Sequence, residues 1–307
     1  MSAALLRFSL LLSLLGWGWV WGCVGRVVAQ TSPSTSESRG GLLRSRRKPS
    51  LAARPVVPPA EDSPAVRKRV AEALFLEASF KDSEALAKLQ EVLKENPQHY
   101  FSLWQAAVLS VRIGQRYSDE TRKAAYFDAG RAYADQALAL QPEGGESNYA
   151  VALTLFNQAT LRTARGRLTA FRDLRSHVVL AAERRPDWPD AWALLGRWQY
   201  RVAHYSLLER LFSRLTLGGV PAGASTKAAL ASLEKAHRLD STRLQFCYDL
   251  ARAYRYQGRL HPAADLLHYA VKLPTITSDD LTTLRRCQQL LEDVERQLIR
   301  RGKRQPK

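Results

Sequence analysis

His261, Asp265 and His268 stand four and three residues apart. On a helix that spacing sets all three on one face, where imidazole and carboxylate could share a divalent metal. Pro262 argues against it by placing His261 at the helix N-cap, and these positions face outward, so no metal is assigned. His204 reads as a packing residue at a helix contact, while His99 and His177 have no partner at motif spacing. Covalent chemistry has no better support. The chain contains no G-x-S-x-G, Walker A loop, G-x-G-x-x-G or H-E-x-x-H. Gly144-Gly145 and Gly218-Gly219 fall in loops without the strand-to-helix setting that phosphate binding requires. Asp279 and Asp280 are explained as charges at a helix start. Cys247 and Cys287 lie within helical patterns, where a buried free thiol is commoner than a disulfide, although one bridge remains open to an exported chain. These residues imply no enzyme and no cofactor.

What remains is recognition by charge. The 307 residues carry 46 Lys and Arg against 29 Asp and Glu, a net charge of +17 and a pI near 10.1. Such a balance suits nucleic acid, an anionic membrane or an acidic protein segment. Arg-rich usage from GC-rich coding would give the same balance with no partner at all. No nucleic-acid motif accompanies the charge, which argues against that partner. The composition, 46% hydrophobic and 24% charged, is ordinary for a folded domain with a sizeable core.

Four segments follow along the chain. Residues 1–29 read as a signal peptide or an N-terminal membrane anchor. Arg7 precedes an uncharged run over residues 8–25, and Val27-Val28-Ala29 ahead of Gln30 fits a small-residue cleavage site. The run is short for a spanning helix of about twenty residues, so cleavage and export to the periplasm or cell envelope is the preferred reading. Val20-Trp21-Gly22-Cys23 also loosely resembles a lipoprotein box, with Trp21 a poor fit. Residues 30–63 are Ser-, Pro- and Arg-rich and read as a disordered basic linker. Residues 64–299 form the helical body, and 300–307 a basic tail. The run 44–48 and that tail offer an alternative role, a basic envelope protein touching anionic lipid or polymer at about 1 kcal/mol per basic residue.

The body must position any recognition residues, and its pattern is helical almost throughout. Ala71, Leu74, Phe75 and Ala78 form one apolar stripe; Leu86, Leu89, Val92 and Leu93 form the next, with Asp82-Ser83 where an N-cap belongs. Trp192, Leu195 and Gly196 follow the W-x-x-L-G opening of a tetratricopeptide (TPR) helix, six residues after Pro186. Pro97 and Pro142 place Leu103 and Asn148 at the same offset, and Cys247 occupies it in a further unit. That unit carries Leu250 and Tyr254 in its first helix, Gly258 at its internal turn and Ala263, Leu267 and Ala270 in its second. Val92, Ala137 and Ala181 lie five residues before their prolines. Leu103, Asn148, Trp192 and Cys247 are 45, 44 and 55 residues apart, longer than a standard repeat of about 34. The excess is expected between the two helices of a unit. One helix is expected to continue from Arg197 to Leu215 with Leu207, Leu208, Leu211, Phe212 and Leu215 on its apolar side. A mobile Gly-rich loop follows at 218–223, then a helix capped by Ser225 and holding Ala229, Leu233 and Ala236. Ser278 opens a terminal helix that closes the stack. The expected fold is all-α: a TPR-like, right-handed helical solenoid with elongated or inserted helices and a C-terminal capping helix.

Trp192-Ala-Leu-Leu-Gly-Arg-Trp198, the stretch from Val202 to Phe212, Leu230-Ala-Ser-Leu-Glu-Lys-Ala236, Tyr248-Asp-Leu-Ala-Arg-Ala-Tyr254 and Val271-Lys-Leu-Pro274 together resemble the regulator of microtubule dynamics family. The resemblance covers roughly residues 70–295 and is most specific between Pro186 and Pro274. It implies a non-enzymatic TPR-like domain that works through protein contacts. Eukaryotic members associate with microtubules and some with mitochondrial membranes. The leader here points to an exported bacterial member, which meets no tubulin, so microtubule binding is not carried over.

In TPR stacks the first helix of each pair lines a concave surface through positions 2, 5, 9 and 12. With Trp192 and Cys247 at position 4, this nominates Arg197, Tyr200, Tyr248, Arg252 and Arg255, and from earlier units Trp104, Tyr149 and Phe156. Arg pairs with carboxylates and Tyr adds contact area at little entropic cost, a combination suited to an acidic, extended protein segment. The other reading is that the elongated helices fill the groove and bury these side chains.

Overall fold

The structure, a computed structural model, describes residues 62–302. The leader, most of the basic linker and the end of the basic tail lie outside the described residues. Among those described there are helices and turns but no strand. The helices are α1 (Pro64–Ala78), α2 (Asp82–Glu95), α3 (Tyr100–Arg116), α4 (Glu120–Leu140), α5 (Gly145–Gln158), α6 (Ala164–Arg184), α7 (Pro189–Ala203), α8 (Leu207–Thr216), α9 (Thr226–Leu239), α10 (Leu244–Tyr256), α11 (Leu260–Ala270) and α12 (Ser278–Gly302). They pack as antiparallel neighbours, α1 with α2, α3 with α4, α5 with α6, α7 with α9 and α10 with α11, and α12 lies against α10 and α11. This is a helical solenoid. No described helix is long and apolar enough to cross a membrane.

The joints between units share one construction. In each of the turns 96–99, 141–144 and 185–188, proline fills the second position, where its fixed φ suits a turn. The fourth residue's N–H donates to the first residue's carbonyl at 3.1 Å: His99 to Asn96, Gly144 to Gln141, Trp188 to Arg185. At the joints of Pro142, Pro186 and Ser241, a side chain six residues on donates back to the carbonyl, whereas Leu103, six after Pro97, has no donor. Trp192 Nε1 reaches the Pro186 oxygen at 3.1 Å, Asn148 Nδ2 the Pro142 oxygen at 2.8 Å, and Cys247 Sγ the Ser241 oxygen at 3.6 Å. Three different residue types thus do the same job, which explains why the aromatic is not needed in every unit. Ahead of each turn, Val92, Ala137, Ala181 and Ala236 are fully buried. Gly196 is required by close approach: a Cβ there would stand 2.7 Å from Leu233 Cγ on α9. Gly258 closes the α10–α11 turn at φ +74°, in the left-handed region that favours glycine.

The largest core cluster runs from α3 to α7 around Trp198, whose indole N–H donates to the Phe171 carbonyl at 2.8 Å. A second, among α10, α11 and α12, holds Leu250's neighbours Cys247 and Ala251 with Leu267, Ala270, Cys287 and Val294. An ion pair ties distant parts of the array. Arg116, at the end of α3, reaches Asp279 in the first turn of α12 at 2.8 Å and Asp82 of α2 at 2.6 Å.

Five local expectations are corrected. Gly144 and Gly145 are not a loop pair: Gly144 is the N-cap of α5 and Gly145 its buried first residue. The stripe Ala71, Leu74, Phe75, Ala78 faces solvent, and α1 buries Val66 and Ala73 instead; among the described residues α1 is packed from one side, so that stripe finds no cover there. Asp82 is not a cap: Lys81 holds that position, and Asp82 is 2% exposed between Arg112 and Arg116. His261 lies within α11, whose N-cap is Arg259; Pro262 is tolerated in the first turn because its missing N–H is an orphan there. The helix expected from Arg197 to Leu215 breaks at residues 204–206. Ser206 opens α8 with a capping box, its hydroxyl accepting from Glu209 N while the Glu209 carboxylate accepts from Ser206 N. Arg210 caps the end of α7 by donating to the carbonyls of Ala203 and Tyr205. Ser225 does cap α9, accepting from Ala228 N at 3.0 Å.

Candidate functional site

Four of the nominated residues, Phe156, Arg197, Tyr200 and Arg252, line one cavity of about 460 Å³. The α5, α7 and α10 helices supply them, and Thr160, Arg167, Phe171, Arg201, Leu233 and Asp249 complete the wall. Gly196, Ala191 and Ala193 of α7 and Ala251 and Ala253 of α10 lie on packed faces, while Arg197, Tyr200, Arg201, Asp249 and Arg252 of the same helices line the cavity.

The cavity is electrically lopsided. Arg197 Nε lies 3.2 Å from Asp249 Oδ2, and Gln245 donates to the same oxygen at 3.1 Å. Arg201 Nη2 lies 2.5 Å from Glu209 Oε1, with Arg167 Nη2 at 3.8 Å from that oxygen. Burial opposes ionisation of Glu209, but hydrogen bonds from Arg201 and from the Ser206 backbone outweigh it and hold the carboxyl below its ordinary value. Four guanidinium groups therefore meet two carboxylates. Arg252 is exposed and has no carboxylate partner; it lies 5.6 Å from the ring centroids of both Tyr200 and Tyr248, a cation–π arrangement that holds its charge at the cavity rim. The Nε atoms of Arg167 and Arg197 are buried without a hydrogen bond, so the contact of Arg197 with Asp249 is a charge contact alone. With no carboxylate on Arg252 among the described residues, the rim of the cavity carries uncompensated positive charge.

The other nominated residues go elsewhere. Tyr149 is buried against Trp188, ring centroids 4.4 Å apart, and Trp104 packs on the far side of the same indole at 5.8 Å. Trp188 lies in the inter-unit turn, which the repeat positions do not cover. Tyr248 packs on the α10–α12 core. Arg255 turns to the capping helix, 3.5 Å from Asp293. Tyr254 donates its hydroxyl to Glu234 at 2.9 Å and is pushed up to about 12, by burial first and by that bond second. Leu195 and Leu250 are core residues.

Sequence reasoning missed Arg167, Phe171, Arg201 and Asp249. Arg167 and Phe171 stand on a second helix, and Asp249 is one position off the groove register; the signal available was the excess of Arg on α6 and α7. Of the histidines, His204 packs between Tyr200 and Tyr256 as expected, centroids 4.2 and 3.8 Å away. His99 caps α3 and meets Asp62 at 3.1 Å, and His177 contacts Asn148 at 2.7 Å. His268 pairs with Glu295. Among the described residues no cluster of His, Cys, Asp or Glu is arranged to hold a metal. Cys247 and Cys287 are buried free thiols, raised by burial to about 12 and about 11.

The paired helices, proline turns and small-residue contacts define a TPR-type helical repeat protein. Its likeness to a thermophilic TPR protein of Thermus thermophilus, at a TM-score of 0.51 and 19% identity over 74% of this chain and 98% of that one, agrees in fold. The model of the family "Regulator of microtubule dynamics protein 1-3" matches residues 69–295, and the chain belongs to that family. Regulator of microtubule dynamics protein 3 of Bos taurus is 29% identical over 181 residues, 55% of this chain and 37% of the bovine protein. The protein of the same name from Rattus norvegicus is 29% identical over 180 residues, 58% of this chain and 38% of its own length. The chain thus matches well under half the length of these relatives.

Proposed function

We propose that this protein is a non-enzymatic interaction scaffold whose α5–α7–α10 cavity captures an acidic, extended segment of a partner protein. The observation that carries the reading is the excess of guanidinium charge on that cavity, whose wall holds Arg167, Arg197, Arg201 and Arg252 against Asp249, with Phe156, Phe171 and Tyr200 beside them. Carboxylates of a bound segment would pair with Arg252 at the rim, and Phe156 and Tyr200 would cover its apolar parts. A binding role is favoured over catalysis because Asp249, the carboxylate on the wall, is held by Arg197 and Gln245. Export or tethering is part of the proposal and rests on the uncharged run 8–25 and the small residues before Gln30. An exported chain meets no tubulin, so microtubules are not included.

The test is fluorescence anisotropy with a labelled Glu-rich peptide. Arg252→Glu should weaken binding on the order of tenfold or more, the scale of one charge-assisted contact, with helicity and melting unchanged. Equal affinity for both proteins would sink the cavity assignment.

A further inference from the structure

Beyond the groove reading, we propose that α8 is a docking helix that seats the protein on an anionic lipid bilayer surface. An amphipathic helix of a globular protein normally turns its apolar stripe to the core. The α8 helix does the opposite. Leu207, Leu208, Leu211 and Leu215 are 83%, 79%, 54% and 76% exposed, and Val220 in the loop beyond is exposed as well. At 100° per residue the four leucines fall within one arc of about 100°, while Ser213, on the opposite side, is buried and the half-buried Phe212 packs on the main core. Exposures this high mean that the leucines project from the surface and do not line a groove. Projecting side chains suit a soft apolar phase better than a rigid partner, which would need a matching socket and about 800 Å² per side.

Charge names the surface. Arg210 and Arg214 fall next to the leucine arc on the helix wheel. Both are exposed, and Arg210 is held by backbone carbonyls, not by a carboxylate. The one acid of α8, Glu209, is turned inward to Arg201 and Arg167 and to the Ser206 backbone. An apolar arc with cations at its edge and no outward acid is the pattern of an interfacial helix on anionic lipid. The helix is anchored for that task by its capping box and by Arg210 on the end of α7.

The experiment uses the full chain with Cys23→Ser and Leu211→Cys carrying an environment-sensitive NBD label; Cys247 and Cys287 are buried and stay unlabelled. A second protein carries the label at Lys94→Cys, on α2. Vesicles are phosphatidylcholine alone or with about 30% phosphatidylserine. The proposal expects the label at 211, and not at 94, to brighten and shift to the blue with anionic vesicles. Leu207→Ser with Leu208→Ser and Leu215→Ser should weaken vesicle binding by on the order of tenfold or more. Arg214→Gln should weaken binding to the anionic vesicles while leaving binding to phosphatidylcholine unchanged. Three results would overturn it: no vesicle binding, binding with the label at 211 unmoved, or a blue shift at 211 that follows protein concentration without vesicles, which would make a second copy the occupant.

Discussion

Single side chains account for both the stacking and the charge of this protein. Gly196 is where α7 and α9 touch, and the nearest atoms to an added Cβ include the Leu233 backbone nitrogen at 3.1 Å as well as its side chain. Gly196→Ala should therefore cost about 1–3 kcal/mol and lower the melting temperature by several degrees; a wild-type melting curve would refute the contact. Glu209 gives a pH signature. Its carboxyl titrates below the ordinary 4.5 in the folded chain, so between the two values the unfolded chain binds more protons. Its stabilisation is complete above the ordinary value and is lost as pH falls through the depressed one. Glu209→Gln should flatten that part of the stability–pH curve, and an unchanged slope would show that Arg201 does not set the titration. The residues legible in sequence were those tied to a turn: Pro97, Pro142, Pro186 and the side chain six positions on. Arg167 and Phe171 were not, because a first-helix register cannot see what a second helix contributes.

At the scale of elements, the units read correctly wherever a proline or glycine ended a helix. The α8 helix did not, because its apolar period follows that of α7 without a breaker. Ser206 and Glu209 form a capping box in the middle of that run, and it is this pair that ends one helix and starts another. Ser206→Ala should remove about 1 kcal/mol of local stability, seen as roughly fivefold faster amide exchange within α8. Global unfolding should not move, since α8 contributes little beyond Ser213 and Phe212 to the body. Slowed or unchanged exchange would show that packing, not the cap, holds the helix. The same break explains the fate of the leucines, which a continuous helix would have carried along the stack.

Across the whole molecule, a chain of paired helices buries a series of core clusters along the stack and must close its last face. The α12 helix does so with Cys287, Leu290 and Val294, and Arg116 to Asp279 ties it back to the first described units. Removing residues 278–307 should uncover Cys247, whose thiol is held near 12 by burial, and make it react with a thiol reagent at rates the intact chain does not show; a Cys247 that stays inert would mean that α10 and α11 close on themselves. The solenoid also delivers guanidinium groups from three units to one cavity, an arrangement that no single repeat encodes. The central claim is that this charge excess selects an acidic segment. Charge exchange tests it most directly: the Glu-rich peptide and a variant with its acidic residues changed to Lys are each titrated against wild-type protein and Arg252→Glu. Arg252→Glu should lose affinity for the acidic peptide and regain part of it for the basic one, a coupling between the two changes. Affinities that shift by the same factor for both peptides would contradict it.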